Sequence, residues 1–115
     1  MRVMLQLILL CLVALTGCVS TSVSGDIYRG EYFYNFETAA FTPAGSAERW
    51  CVNSAQLKDA EVPANGSPGG AWGTADIVVR GTLSPEGSYC NLGAYKRFLD
   101  ISEVISISNK RRVAP

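Results

Sequence analysis

The sequence contains no histidine among its 115 residues. Ser-His-Asp and Cys-His catalytic arrangements use an imidazole as general base, so this chain excludes them. Metal sites built on imidazole are excluded for the same reason. We therefore expect no enzymatic activity, no metal and no cofactor. A hydrolase that uses two converging carboxylates is the least favoured alternative, and its candidate acids are Glu31, Glu37, Asp76, Asp100 and Glu103.

The chain also lacks an excess of charge of either sign. Ten Lys and Arg residues balance ten Asp and Glu residues. Binding to nucleic acid depends on a basic field that neutralises phosphates, so no nucleic-acid partner is expected. The basic cluster Lys110–Arg112 lies near the end of the chain, and we interpret it as part of a solvated tail.

No apolar run is long enough for an ordinary membrane-spanning helix. Val3–Leu15 is apolar except for Gln6, and its length of about 13 residues falls short of the roughly 20 that a span needs. Arg2 precedes this run and small residues follow it, which is the order of regions in a secretory signal peptide. Residues 1–17 are therefore predicted to be a signal peptide, and a membrane span is the weaker alternative.

The end of this segment resembles the lipobox of bacterial lipoproteins, Leu-x-(Gly/Ala)-Cys. LTGC at 15–18 fits the pattern and precedes a Ser/Thr tract. The resemblance implies cleavage between Gly17 and Cys18 and acylation of Cys18. Two or three acyl chains anchor a protein stably in a membrane. Val19, in place of an aspartate, favours the outer membrane with the protein facing the periplasm. The alternative is an ordinary signal peptide that leaves Cys18 unmodified.

Four cysteines are present, and their positions in the chain predict different fates for them. Cys11 would leave with the signal peptide and Cys18 would carry the lipid. Cys51 and Cys90 would remain in an oxidising compartment, where a bond between them could form. Two buried thiols that never meet are the open alternative, since spacing does not establish disulfide geometry.

Alternation of apolar and polar residues indicates β-structure in most of the remaining chain. One short helix is predicted over 53–60, with Asn53 or Ser54 as its cap. Gly30 and Glu103 each interrupt a strand pattern and predict a bulge or bend. A Pro/Gly-rich loop is predicted over 62–73. The predicted strands are 27–36, 48–54, 74–83 and 98–108, with turns at 42–46 and 84–87.

The predicted fold class is all-β, a small antiparallel barrel of OB-like type. It would follow the helix of the signal peptide and a flexible tether at 18–26. The barrel domain is assigned to 27–108 and a basic tail to 109–115. A barrel is preferred to a sandwich because few charged residues protect strand edges, and closure removes those edges.

The domain also resembles small uncharacterised lipoproteins of proteobacteria. The segments YRGEYFYNFETAAFTPAG, RWCV and VRGTLSPEGSY carry the resemblance, which covers most of 28–105. It implies an OB-like barrel in the cell envelope and implies no activity. Such relatives often have Gly-His where this chain has Cys90-Asn91.

Aromatic residues supply the candidate contacts. Tyr28, Tyr32, Tyr34 and Phe36 share one face of the first predicted strand. Core packing is the favoured interpretation, although Tyr32 and Tyr34 could stack on a sugar if that face were exposed. Trp72, in the long loop, is predicted either to contact a partner or to cover one end of the barrel.

The sequence thus predicts a lipid-anchored, non-catalytic envelope protein. Its barrel would bind a glycan or an envelope protein, or would give structural support in the periplasm. The alternative is an inhibitor of an envelope glycosidase such as lysozyme. That alternative predicts that the 62–73 loop inserts a side chain into the cleft of the enzyme.

Overall fold

The computed structural model describes residues 25–63 and 72–113. The predicted signal peptide, Gly17, Cys18, most of the tether and most of the 62–73 loop lie outside the described residues. Two 3-10 helices cover Ser54–Ala60 and Asn91–Gly93. The strands are β1 (Asp26–Tyr34), β2 (Ala39–Pro43), β3 (Trp50–Val52), β4 (Gly73–Leu83) and β5 (Phe98–Arg112).

The five strands form a single sheet that closes on itself in a ring. β1 pairs antiparallel with β2 on one side and with β4 on the other. β2 pairs antiparallel with β3, and β5 closes the ring by lying parallel to β3 and antiparallel to β4. The expectation of a mostly β, closed structure is confirmed. The parallel β3–β5 pair departs from the antiparallel arrangement that the sequence predicted.

β1 ends two residues earlier than predicted because the chain reverses after Tyr34. The Asn35 side-chain Oδ1 accepts hydrogen bonds from the backbone N–H groups of Glu37 and Thr38, at 2.8 and 2.7 Å. Such an Asx turn redirects the backbone into β2. Phe36 therefore lies in the turn with 71% of its surface exposed, and not on the inner face of the strand.

β2 was missed by the sequence analysis, which assigned its last residues to a turn. Phe41 of β2 is fully buried and lies opposite Tyr32 of β1. The predicted turn follows the strand, where the Ser46 N–H donates to the Pro43 carbonyl at 3.1 Å. Of the bulge or bend predicted at Gly30, the bulge is wrong, since the register of β1 runs without a shift on both of its sides.

β5 is long because it bends around the ring through three register shifts against β4. One shift leaves Ser102 between the paired residues Ile101 and Glu103, which confirms the bulge predicted there. β5 continues to Arg112, so the predicted tail boundary at 109 is wrong. Arg111 donates to Glu31 of β1 at 2.8 Å, and this pair helps to hold the end of the chain on the sheet.

The interior of the ring contains aromatic and aliphatic side chains from every strand. The first 3-10 helix adds Leu57 and Ala60, both buried, to this core. Burying such side chains contributes about 1.5–3 kcal/mol each. The largest fully buried residues are Tyr32, Tyr34, Phe41, Leu57, Ile77, Val79, Leu99, Ile101 and Cys51.

Asn53 extends the pairing of β3 with β5 through its side chain. Its Nδ2 donates to the Ile101 carbonyl at 3.1 Å, and its Oδ1 accepts from the Ile101 N–H at 2.7 Å. The amide therefore takes the place of the next residue of a strand. Because its side chain is bonded to Ile101, Asn53 makes no capping hydrogen bond to the helix. The side-chain cap predicted at Asn53, one of two candidates, is therefore not formed.

We expect Asn53→Ala to lower the free energy of unfolding by about 1–2 kcal/mol, because it leaves the two backbone groups of Ile101 without these partners. Urea denaturation of the purified protein measures the change. Ser54→Ala, next to it on the exposed start of the helix, serves as the control and should change stability by less than about 0.5 kcal/mol. Equal effects of the two substitutions would contradict this role of Asn53.

Candidate functional site

A cleft of about 410 Å³ opens at one side of the ring. Its walls come from the turn between β1 and β2, from the first 3-10 helix and from the segment between β4 and β5. Hydroxyl, amide and charged side chains predominate in this lining. The residues used below are Tyr32, Tyr34, Phe36, Lys58, Glu61 and Cys90.

Tyr32 and Tyr34 line the cleft from the core side. Their rings stack at 5.4 Å, and both residues are almost completely buried. They are therefore core residues, as the favoured interpretation of the aromatic face required, rather than an exposed stacking platform. The Tyr34 hydroxyl accepts the Val62 N–H at 2.7 Å.

The Tyr32 hydroxyl has no hydrogen-bond partner within the part of the chain that the structure describes. A buried hydroxyl without a partner costs about 1–3 kcal/mol. Burial raises the pKa of this hydroxyl above its ordinary value of 10.0, and the charge of Glu61 raises it further. Both Tyr32 and Glu61 line the cleft.

Glu61 directly follows the first 3-10 helix and is half-buried. Desolvation raises the pKa of its carboxyl above 4.5, and the nearby Lys58 ammonium only partly offsets this effect. The carboxylate forms no ion pair or side-chain hydrogen bond within residues 25–63 and 72–113. Glu61 was not among the candidate binding residues, because nothing in its local pattern shows that ring closure brings it into the same cleft as Tyr32.

Glu61→Gln is expected to stabilise the fold at pH 7 by less than about 1 kcal/mol, since the charge is still partly screened by solvent. A carboxyl whose pKa is raised by folding contributes stability below its unfolded pKa and loses it as pH rises through the folded pKa. The advantage of the variant should therefore disappear below about pH 4.5. Urea denaturation at pH 7 and pH 4 measures it. Equal stabilisation by the substitution at both pH values would contradict a raised pKa for the Glu61 carboxyl.

A disulfide joins Cys51 of β3 to Cys90, with an S–S distance of 2.04 Å. This confirms the bond predicted as one of two alternatives. Cys51 is buried in the ring, whereas Cys90 is exposed in the segment between β4 and β5. Both sulfur-bearing residues line the cleft. The bond therefore fixes one wall of the cleft to the sheet.

The segment 84–97 projects from the ring as an irregular hairpin. The Gly87 N–H donates to Lys96 O at 2.8 Å, so the chain does not close a turn at 84–87 as predicted. It reverses at the second 3-10 helix, where Leu92 is 97% exposed and has a φ of 56°. A left-handed backbone is rare for a bulky residue such as leucine. We call this projection, residues 84–97, the stapled loop.

Trp72 lies on the outer surface of the sheet and does not line the cleft. Its ring contacts Phe33 edge-on at 6.5 Å, and the Arg49 guanidinium lies 5.0 Å from the centre of the Phe33 ring. Trp72 is half-buried. The structure therefore separates the three predicted contact residues, with Tyr32 and Tyr34 inside the ring and Trp72 outside it.

Two of the candidate acids, Glu31 and Asp76, approach one another on the outer surface. Both pair with Arg111, at 2.8 and 3.9 Å. Each carboxylate side chain is about half exposed, at 47% and 50%. A single guanidinium thus pairs with both carboxylates and offsets one of their two charges. This arrangement suits charge pairing on the surface better than proton donation from a buried acid.

Comparisons with protein-family models, with curated proteins and with solved structures found no match to this chain. Within residues 25–63 and 72–113, no cluster of three or more cysteine, aspartate or glutamate side chains is arranged to hold a metal ion. Neither described helix has the length and apolar character needed to cross a membrane.

Proposed function

We propose that this protein is a lipid-anchored, non-catalytic protein of the bacterial cell envelope. Its OB-like barrel would hold a small ligand in the cleft, outside the cytoplasm. The strand order of the ring, with β3 parallel to β5 and a helix between β3 and β4, supports the OB-like assignment. The anchor itself rests on the lipobox-like LTGC sequence at 15–18.

The observation that carries the proposal is the Cys51–Cys90 disulfide. Disulfides persist in exported proteins and are rare in the reducing cytoplasm of most organisms. This bond therefore supports export independently of the signal-like sequence. Because the same bond fixes one wall of the cleft, it also supports a binding role that depends on a rigid wall.

Cell fractionation tests the proposal. The protein expressed in a proteobacterium should sediment with the membranes and be released by detergent. Cys18→Ala should yield a soluble protein in the periplasmic fraction, or a retained precursor, while Cys11→Ala should behave like the parent protein. A parent protein recovered in the cytoplasmic fraction would refute the proposed location.

The second candidate function is inhibition of an envelope glycosidase. The stapled loop favours it, because a rigid loop with an exposed leucine at its tip can enter the cleft of another protein at little entropic cost. We propose Leu92 as the inserting side chain, in addition to the 62–73 loop predicted from sequence, most of which lies outside the described residues. If the protein inhibits lysozyme, Leu92→Asp should weaken the inhibition at least tenfold, whereas Ser88→Ala should leave it unchanged. Absence of inhibition by the parent protein would remove this candidate.

A further inference from the structure

We propose that the Cys51–Cys90 disulfide is a reducible clasp, which a dithiol opens in the folded protein to release the stapled loop from the cleft. This inference rests on the proposed binding role of the cleft and adds a means of controlling it. Three features of the molecule support it: the few attachments of the stapled loop, the unequal exposure of the two cysteines and the backbone at the tip of the loop.

The outer part of the stapled loop, residues 85–96, has few attachments to the ring. Within the part of the chain that the structure describes, all of its hydrogen bonds and ion pairs have partners inside 84–98. None of the residues 85–96 is fully buried, so no side chain anchors the loop deep in the core. Without the S–S bond, the loop is held only at its base, where the Cys51 N–H donates to the Arg97 carbonyl at 3.2 Å.

The part of the loop that the disulfide holds forms one wall of the cleft. Cys90, Asn91 and Tyr95 supply the lining on this side. The strand pairs that close the ring lie outside 85–96 and do not depend on this wall. Cleavage of the bond therefore frees one wall of the cleft, while the five strands keep their pairing.

The two cysteines differ in their exposure to an attacking thiolate, since Cys90 is exposed and Cys51 is buried in the ring. A thiolate of the dithiol attacks Sγ of Cys90, the S–S bond breaks, and Cys51 leaves as a thiolate that takes a proton from water. The second thiolate of the reductant then attacks the mixed disulfide and releases Cys90, which is protonated in turn. The protein thus gains two electrons and two protons, and the dithiol is oxidised to a disulfide. The Cys51 thiol has an acceptor in place, because the Arg97 carbonyl oxygen lies 3.7 Å from its Sγ.

The backbone at the tip of the loop favours release. Cys90 has a φ of 62° and a ψ of −153°, and Leu92 has a φ of 56°. Residues other than glycine seldom adopt such left-handed conformations, because they cost free energy. The oxidised loop holds both residues in them, whereas a loop attached only at its base is free to leave them. Strained and exposed disulfides are the ones that reductants open most readily.

The kinetics of reduction of the full-length mature protein test the inference. Dithiothreitol, a small dithiol, is added without denaturant, and the thiols that appear are trapped by alkylation and counted by mass spectrometry. We expect the rate of reduction to rise in proportion to the dithiothreitol concentration and to exceed the rate of global unfolding by about tenfold or more. A rate that equals the rate of unfolding and does not depend on dithiothreitol would overturn the inference, because the bond would then open only in the unfolded chain.

NMR spectra of the reduced protein show which part of the chain is released. We expect the backbone resonances of 85–96 to move to random-coil positions, while those of β1, β4 and β5 stay dispersed. The double variant Cys51→Ala/Cys90→Ala is the control, since it lacks the bond without any reductant and should give the same loop resonances. Loop resonances that do not move, or a loss of dispersion throughout the ring, would each contradict a clasp that acts on the loop alone.

A variant at the tip tests the contribution of the backbone. Asparagine adopts left-handed conformations more readily than leucine, so Leu92→Asn should stabilise the oxidised loop. We expect the ratio of reduced to oxidised protein, at a fixed ratio of reduced to oxidised dithiothreitol, to fall about threefold. Ser88→Asn introduces the same residue at an exposed loop position without a left-handed backbone, and should change this ratio less than about twofold. Equal ratios for the two variants would contradict the inference, because the tip would then keep its backbone after reduction.

These failures are distinct from failure of the proposed function. A membrane-bound, acylated protein whose disulfide opens only on unfolding refutes the clasp alone. A parent protein recovered in the cytoplasmic fraction refutes the proposed location, whatever the kinetics of reduction show.

Discussion

Removal of the Cys51–Cys90 bond should lower the free energy of unfolding by about 3 kcal/mol. The bond spans 39 residues, and the chain-entropy model assigns a loop of that length about 4 kcal/mol. About 1 kcal/mol is subtracted because Cys90 occupies a backbone region, φ 62° and ψ −153°, that is strained for any residue but glycine. For a small domain the remainder is a large fraction of the total stability.

The double variant Cys51→Ala/Cys90→Ala measures this effect in urea denaturation. It removes both partners of the bond, so neither is left as an unpaired thiol. The parent protein unfolded with and without a reductant provides an independent value. The reductant should have no effect on the double variant, which controls for other actions of the reagent. A loss below about 1 kcal/mol by both methods would show that the bond fixes the stapled loop without stabilising the ring.

Gly30→Ala should be at least as damaging, with a loss of about 3 kcal/mol or more. A Cβ atom at Gly30 would lie 2.1 Å from the Thr42 carbonyl oxygen and 2.8 Å from the Phe41 ring. β1 is paired with β2 at this point and with β4 on its other side, so it cannot move away without breaking one pairing. Relief of the clash therefore requires the ring to open.

Gly87→Ala is the matched control for this substitution. The three atoms nearest to a Cβ there all belong to the Tyr89 side chain, the first at 3.0 Å, on the exposed stapled loop. We expect a change below about 0.5 kcal/mol in urea denaturation. If Gly30→Ala unfolds at the same urea concentration as Gly87→Ala, the close approach of β1 and β2 does not limit the fold.

Strands with long, regular alternation were predictable from sequence. β4 carries apolar residues or glycine at every second position over its eleven residues, and β1 does so from Tyr28 to Tyr34. Both strands were found within two residues of their ends. β2 was not predictable, because Ala39–Pro43 is too short to show a period. It also runs into the turn-like sequence Pro-Ala-Gly at 43–45. Its pairing with β1 and β3, a tertiary effect, makes it a strand.

The C-terminal end of β5 shows the same limit of local patterns. Lys110–Arg112 is charged and was interpreted as a solvated tail. Pairing with Gly73 and Thr74 makes these residues part of a strand, and side-chain bonds to distant groups hold them there. Lys110 donates to the Asp59 carbonyl at 3.2 Å, and Arg112 donates to the Pro63 carbonyl at 2.8 Å.

The candidate site was predictable only in part. Spacing and compartment suggested the Cys51–Cys90 bond, and alternation placed Tyr32 and Tyr34 on one face. The position of Glu61 and Tyr32 in one cleft follows from closure of the ring and has no local signal. The outward position of Leu92 follows from hydrogen bonds and a disulfide that hold the stapled loop, and the predicted turn at 84–87 gave no indication of it.

Anchoring through Cys18 is the central claim, because it sets the compartment in which the disulfide and the cleft operate. Intact mass spectrometry of the protein extracted from bacterial membranes tests it most directly. We predict a polypeptide that begins at Cys18 and carries two or three fatty acyl chains, and an unacylated product from Cys18→Ala. A product that retains Met1, or one that begins near residue 18 without acyl chains, would contradict the claim.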